Sequence, residues 1–161
     1  MAKDRARMGI VLAGVIGVIL GIGIKSEPIA QALQTQRRAI RPAQAPNTGL
    51  PYSPGVLVGN TLYISGHLGR DPVTAKLVSG GIEAETRQSL ANIREVLKTA
   101  GMDFTHVASV TAYIASFQDF ATFNAVYREH FPKDPPTRAT VQVAALNDGA
   151  RVELQMIAVK P

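Results

Sequence analysis

The chain contains no cysteine, which removes disulfides, thiol nucleophiles and thiolate metal sites and makes an oxidising compartment harmless to it. Histidine is nearly as scarce. His67, His106 and His130 are the full set, and their spacing matches no ligand pattern, so no metal site is expected. No internal repeat is evident. A cationic surplus is also missing where a nucleic-acid binder would need one. The formal charge of +5 resides in the first 41 residues, where seven basic side chains (Lys3, Arg5, Arg7, Lys25, Arg37, Arg38, Arg41) outnumber two acidic ones (Asp4, Glu27). Residues 42–161 hold ten of each sign. With no excess charge to neutralise phosphates, no nucleic-acid partner is expected.

The N-terminal residues differ in composition from the rest. A basic start precedes an uncharged, glycine-containing run from Met8 to Ile24, closed by Lys25. As a helix this run falls just short of a hydrocarbon core of roughly 30 Å, yet it is longer than the usual signal-peptide core of about 7–15 residues. Pro28 and Ala30-Gln31-Ala32 favour cleavage after Ala32, whereas Gly17-x-x-x-Gly21 suits a retained helix. Either way, residues 1–32 read as a signal peptide or membrane anchor. The expected location is exported, periplasmic or secreted, or held at the membrane by residues 8–24, with membrane contact through this segment alone. Residues 33–48 show no apolar period and read as a linker.

About 115 residues from Gly49 onward suit a single α+β domain. Val56–Val58, Gly59-Asn60 and Thr61–Ser65 read as a hairpin, and Lys76–Val78 as a short strand. Between Ile82 and Ala100, the positions Ile82, Leu90, Ile93, Val96 and Leu97 share one helical face, and Gly101 suits the residue after a helix end. Val107–Ala115 has a strand pattern. Ser116-x-x-Asp119 then offers a cap for a second helix, whose buried face carries Phe120, Phe123, Tyr127 and Phe131 and which stops at Pro132. The order is β-β-β-α-β-β-α-β or β-β-β-α-β-α-β-β. In both, two helices pack on one face of a mostly antiparallel sheet. The other face must meet water or another subunit.

The stretch Pro135–Leu146, the cluster Asn147-Asp148-Gly149-Ala150 and the stretch Arg151–Ala158 read as a second hairpin. Alternation places Arg138, Thr140 and Gln142, with Arg151, Glu153 and Gln155, on the polar side. That side is either a solvated sheet surface or the uncovered face of the domain.

Six motifs occur in order: Pro51-Tyr52-Ser53; Ser65-Gly66; Glu85-Thr86-Arg87-Gln88-x-Leu90-x-Asn92-Ile93; Asp119-Phe120-Ala121-x-x-Asn124-x-x-Tyr127; Pro136-x-Arg138-x-Thr140-Val141; and Glu153-x-x-x-Ile157-Ala158. With these the chain resembles the RidA (YjgF) family across residues 49–161 and nowhere in residues 1–48. The resemblance implies a chorismate-mutase-like fold and a homotrimer whose sheets line a barrel, with active sites in the clefts between subunits. It implies cofactor-free hydrolysis of reactive 2-enamino and 2-imino acids to 2-oxo acids and ammonia. Arg138 would then bind the substrate carboxylate through a planar, permanently charged fork, and Glu153 would act as general base toward water. Tyr52, Ser65, Gly66, Asn124 and Thr140 would complete the substrate-binding set. The chain departs from the family at Gly49-Leu50-Pro51-Tyr52, where Gly-Pro-Tyr is common. It departs again at Ser65-Gly66-His67, where Ser-Gly-Gln is common. A trimeric carboxylate-binding module without turnover is the alternative. Arg138 serves both readings, whereas Glu153 is needed mainly by the enzyme.

Overall fold

The computed structural model of the chain describes residues 36–45 and 49–161, which fall in one compact unit, Thr35–Pro161. The signal or anchor reading of residues 1–32 lies outside the described residues. Among the described ones, no helix is long and apolar enough to cross a membrane.

Eight main elements follow one another: β1 (Arg37–Ile40), β2 (Gly55–Val58), β3 (Thr61–Leu68), α1 (Gly81–Thr99), β4 (Val107–Ile114), α2 (Phe120–His130), β5 (Thr137–Gln142) and β6 (Val152–Val159). They build a six-stranded sheet in the order β1-β2-β3-β6-β4-β5. All neighbours are antiparallel except β4 and β5, which are parallel because α2 is the crossover between them. The α+β class with two helices over a largely antiparallel sheet is as expected.

Each helix forms where its apolar period predicts. α1 buries Ile82, Leu90, Ile93, Val96 and Leu97 and ends at Gly101, whose φ of +68° suits a residue without Cβ. The Ser116 hydroxyl accepts from Gln118 N–H and caps a single 3₁₀ turn, Phe117–Asp119, that leads into α2. α2 buries Phe123, Val126 and Tyr127, and Phe131 just beyond it is buried too. These meet Leu62, Ile64, Val110, Ala112, Ile114, Leu154 and Met156 of the sheet in one core.

Four expectations about strands need correction. β5 and β6 are not a hairpin: β6 lies between β3 and β4, and β5 runs along the far edge of β4. Val143–Arg151 is therefore a connection across β4, not a tight turn. The segment Arg37–Ile40, read as linker, is an edge strand on β2. Only Ile40 of it is buried, and four residues whose apolar pair, Ala39 and Ile40, is adjacent have no period to detect. Lys76–Val78 forms no strand, only the isolated bridge Arg70↔Leu77. Finally, Arg138 and Glu153 do not share a face. Arg138 pairs with buried Val110 and points at α2, where its guanidinium contacts Asn124 and aromatic rings. Glu153, between buried Val152 and Leu154, points the other way. The hairpin reading put them together because it aligned two strands that are not neighbours.

Candidate functional site

Two groups of polar side chains sit on opposite sides of the sheet. The first gathers at a bulge in β3. Ile64 pairs with Met156 and His67 with Leu154, three steps on β3 against two on β6, so one extra residue turns the strand at Ser65-Gly66. Ser65 holds the preceding segment in place. Its N–H donates to Pro54 O at 3.0 Å and its hydroxyl to Ser53 O at 2.7 Å. From the other side, Arg41 donates to Tyr52 O and Ser53 Oγ, each at 3.2 Å. Tyr52 is thus carried on a braced turn, with its side chain about half exposed.

Glu153 reaches the same bulge from β6. Its carboxylate lies so close over Gly66 that any Cβ at residue 66 would fall on Oε1, so the glycine lets the carboxylate occupy this position. The half-buried carboxylate has no hydrogen-bond or ion-pair partner among the described residues. It is an acceptor with nothing to accept. Tyr52, Ser65, Gly66 and Glu153 line one cleft of about 910 Å³, together with His67, Arg70, Gln88 and Asn92.

α1 forms the far wall. Asn92 Nδ2 donates to the carbonyls of Leu68 (3.2 Å) and Arg70 (2.9 Å), and Gln88 donates to Asn92 Oδ1. Sequence reading had these two amides in a motif but outside the site; their i, i+4 spacing on one helix face was the available signal. Gly69 lets α1 press directly on the loop, since a Cβ there would meet Glu85 Cα at 2.5 Å. His67, seen from sequence only as a departure, lines the cleft as well. Burial pushes its pKa below the usual value, partly offset by a 3.4 Å contact with Pro54 O.

The second group surrounds Arg138 on β5. Its Nη2 donates to Asn124 Oδ1 at 2.7 Å, and its guanidinium stacks over Tyr127 (4.4 Å), Phe123 (5.2 Å) and Phe120 (6.0 Å). Rings at this range hold a cation in place without neutralising it. No carboxylate pairs with it among the described residues. The Tyr127 phenol, its pKa pushed up to about 12 by burial against the opposing pull of Arg138, is a neutral hydroxyl. Its OH and Thr140 Oγ1 are buried without a partner. Asn124 and Thr140 therefore accompany Arg138, and neither lines the cleft that holds Glu153.

Arg151 leaves the polar set altogether. It precedes β6, and its guanidinium pairs with both oxygens of Asp119 at 2.9 and 3.0 Å, while its N–H donates to buried Glu85 at 2.7 Å. This ties the start of β6 to both helices. No group of three or more His, Asp or Glu able to hold a metal ion occurs among the described residues.

The family model described as Endoribonuclease L-PSP matches residues 42–160. A curated bovine relative, 2-iminobutanoate/2-iminopropanoate deaminase, is 50% identical over 124 residues, covering 77% of this chain and 90% of that protein. Reactive Intermediate Deaminase A, chloroplastic, of Arabidopsis thaliana is 37% identical over 138 residues, covering 83% and 74%. The crystal structure of RidA from the Antarctic bacterium Psychrobacter sp. superposes with a TM-score of 0.73 at 37% identity, covering 76% and 99%. These findings overturn the expected location. The relatives are deaminases, one of them named for the chloroplast and neither for export or a membrane. Export and anchoring are therefore withdrawn.

Proposed function

Because the chain belongs to the RidA family, described as Endoribonuclease L-PSP, we propose that it is an imine deaminase, hydrolysing reactive 2-enamino and 2-imino acids to 2-oxo acids and ammonia. One observation carries the assignment of its site. Arg138, a fixed cation with no anion among the described residues, and Glu153, a carboxylate with no donor among them, lie on opposite faces of the same sheet. Neither half can complete a site with the other inside one protomer. Each can do so with the opposite half of a neighbouring copy, as the clefts between subunits of a homotrimer would provide.

The face that carries Glu153 favours such an assembly. Tyr63, half exposed, pairs with Ile157 on one side and Val56 on the other. Val159, two residues along β6 from Ile157, and Val141, at the far edge of the sheet in the row of Tyr113 and Glu153, are exposed as well. An apolar, helix-free sheet face of this kind is stable when a second sheet covers it.

In the composite cleft, Arg138 grips the substrate carboxylate with two parallel N–H donors, steadied by Asn124 and the Tyr127 ring, with Thr140 beside it. Tyr52, Ser65 and Gly66 shape the opposite wall. Glu153 accepts a proton from a water molecule as the water oxygen bonds to C2 of the imine, and the C=N electron pair moves to nitrogen. Returning that proton to nitrogen gives the carbinolamine; Glu153 then takes the proton of the new hydroxyl and passes it to the amine as the C=O bond forms and the C–N bond breaks. Ammonia and the 2-oxo acid leave, and Glu153 is again ionised. This sequence consumes one water and needs no redox partner or cofactor.

A ribonuclease reading, suggested by the family description, finds no support in charge. Residues 42–161 are neutral, with ten basic and ten acidic side chains, and offer no surplus to a polyanion.

Subunit mixing is the test. R138A and E153Q trimers, each inactive, are denatured together and refolded as mixtures, and ammonia release is followed on freshly generated 2-iminobutanoate. If each site takes Arg138 from one subunit and Glu153 from the next, about one quarter of interfaces regain both wild-type residues, and activity returns to roughly that fraction. Mixtures as inactive as their parents would refute the shared site. An inactive wild-type chain that still binds 2-oxobutanoate would replace the enzyme with the binding module.

A further inference from the structure

Resting on the deaminase reading, we infer that His67 is a specificity-determining residue: its Nδ1 accepts a hydrogen bond from an O–H or N–H donor on the substrate's side chain. The ring is fixed at both ends. Its main-chain carbonyl accepts from Ser89 Oγ of α1 at 2.8 Å, and its Nε2 lies 3.4 Å from Pro54 O. A carbonyl oxygen can only accept, so the bond to Pro54 places the ring proton on Nε2. The second nitrogen, Nδ1, then carries a lone pair. It has no partner among the described residues, yet it is not among the buried polar atoms lacking one. His67 lines the same cleft as Gly66 and Glu153, and that cleft is the space in which Nδ1 can find a donor. Burial, which keeps the ring neutral, preserves that lone pair.

An acceptor at this point discriminates. A ligand whose chain ends in a methyl group covers Nδ1 and leaves it unpaired, whereas a hydroxyl of the same size satisfies it. Glutamine, common at this place in the family, can act likewise, giving an N–H to Pro54 and a carbonyl oxygen to the ligand. Leucine can do neither.

The test compares two nearly isosteric substrates, 2-imino-4-hydroxybutanoate and 2-iminopentanoate, generated in place by an amino acid oxidase, on the full chain. Wild type is expected to favour the hydroxylated acid in kcat/KM by about tenfold, the worth of one neutral hydrogen bond left unmade. His67→Leu abolishes the preference, and His67→Gln keeps it. A residue that merely supports the fold would lower both rates together and leave their ratio alone. A wild-type ratio near one, an unchanged ratio in His67→Leu, or equal loss in the Leu and Gln variants overturns the inference. Should the leucine variant fold poorly, His67→Met, which also lacks both polar atoms, takes its place. Calorimetric binding of 4-hydroxy-2-oxobutanoate and 2-oxopentanoate provides an arm independent of turnover. A binding preference with no hydrolysis of any imine sinks the deaminase reading and leaves His67 standing; hydrolysis without preference does the reverse.

Discussion

On the helix-covered face of the sheet, Leu62, Ile64, Val110, Ala112, Leu154 and Met156 are buried almost completely, and a charged exception, Arg138, sits among aromatic rings with one amide partner. On the opposite face Glu153 stands beside Tyr113 and Leu68 in the sheet register, half exposed, with no partner among the described residues. The two charges are prepared differently. Arg138 is pre-oriented by packing, which suits a group that must hold a carboxylate at a fixed angle. Glu153 is left unpaired over a glycine, which suits a group that must exchange a proton with a small mobile molecule. Binding and proton transfer are thus assigned to opposite faces, and assembly would bring them together.

Substitution of the two charges breaks this comparison most sharply. Arg138→Ala should cost binding and turnover together, by about 2–5 kcal/mol for a sheltered charge-assisted contact, and Arg138→Lys should restore little, because an ammonium lacks the planar fork. Glu153→Gln keeps shape and removes the basic oxygen, so kcat should fall by about 10²-fold or more while the affinity for 2-oxo acids stays nearly constant. Steady-state rates beside calorimetric affinities read both. Equal loss of affinity in the two variants would show that Glu153 binds ligand and is not the base.

A pair of glycines sharpens the contrast at smaller cost. Gly69→Ala places a methyl group 2.5 Å from Glu85 Cα on the backbone of α1, where little can yield. It should lower stability by about 1–3 kcal/mol, as overpacking does, with a reduced denaturant midpoint. Gly66→Ala meets only a side chain, the Glu153 carboxylate, which can swing aside. Stability should change less, and kcat more. If Gly66→Ala proves the less stable and the more active of the two, the assignment of space at the bulge is wrong.

Helices and core were legible because both rest on local periods: five apolar positions of α1 fall on one face, and the Ser116 cap and Phe123 mark α2. Strand pairing was not. β5 and β6 alternate as hairpin strands do, and nothing in their residues says that β4 lies between them. That partner is set by the crossover of α2, a long-range choice. The error passed directly to the site, since a face shared by Arg138 and Glu153 was inferred from the hairpin. The motifs named Arg138 and Glu153 independently of that hairpin, because a family resemblance names side chains without saying which subunit supplies them. Gln88, Asn92 and His67 were underrated for a related reason: α1 becomes a wall of the cleft only once the loop after β3 folds onto it.

The smallest effect concerns pH and again separates the two faces. His67 has a folded-state pKa below its ordinary value of 6.5 because burial disfavours the cation, and its contact with Pro54 offsets only part of this. Between the depressed folded pKa and the unfolded one, the unfolded chain binds more protons than the folded chain, so stability rises with pH there. The contribution of His67 is fully present above about pH 6.5 and is lost as the pH falls through the folded pKa. Carboxylates titrate lower and do so in any variant, so the difference between two proteins isolates the histidine. His67→Gln, which retains the donor to Pro54 and does not titrate, should therefore lose less melting temperature than wild type on acidification from about pH 7.5 to 5.5. Parallel melting curves across that window would mean that water reaches the ring freely in solution, and the open nitrogen of His67 would then have no sheltered cleft in which to discriminate.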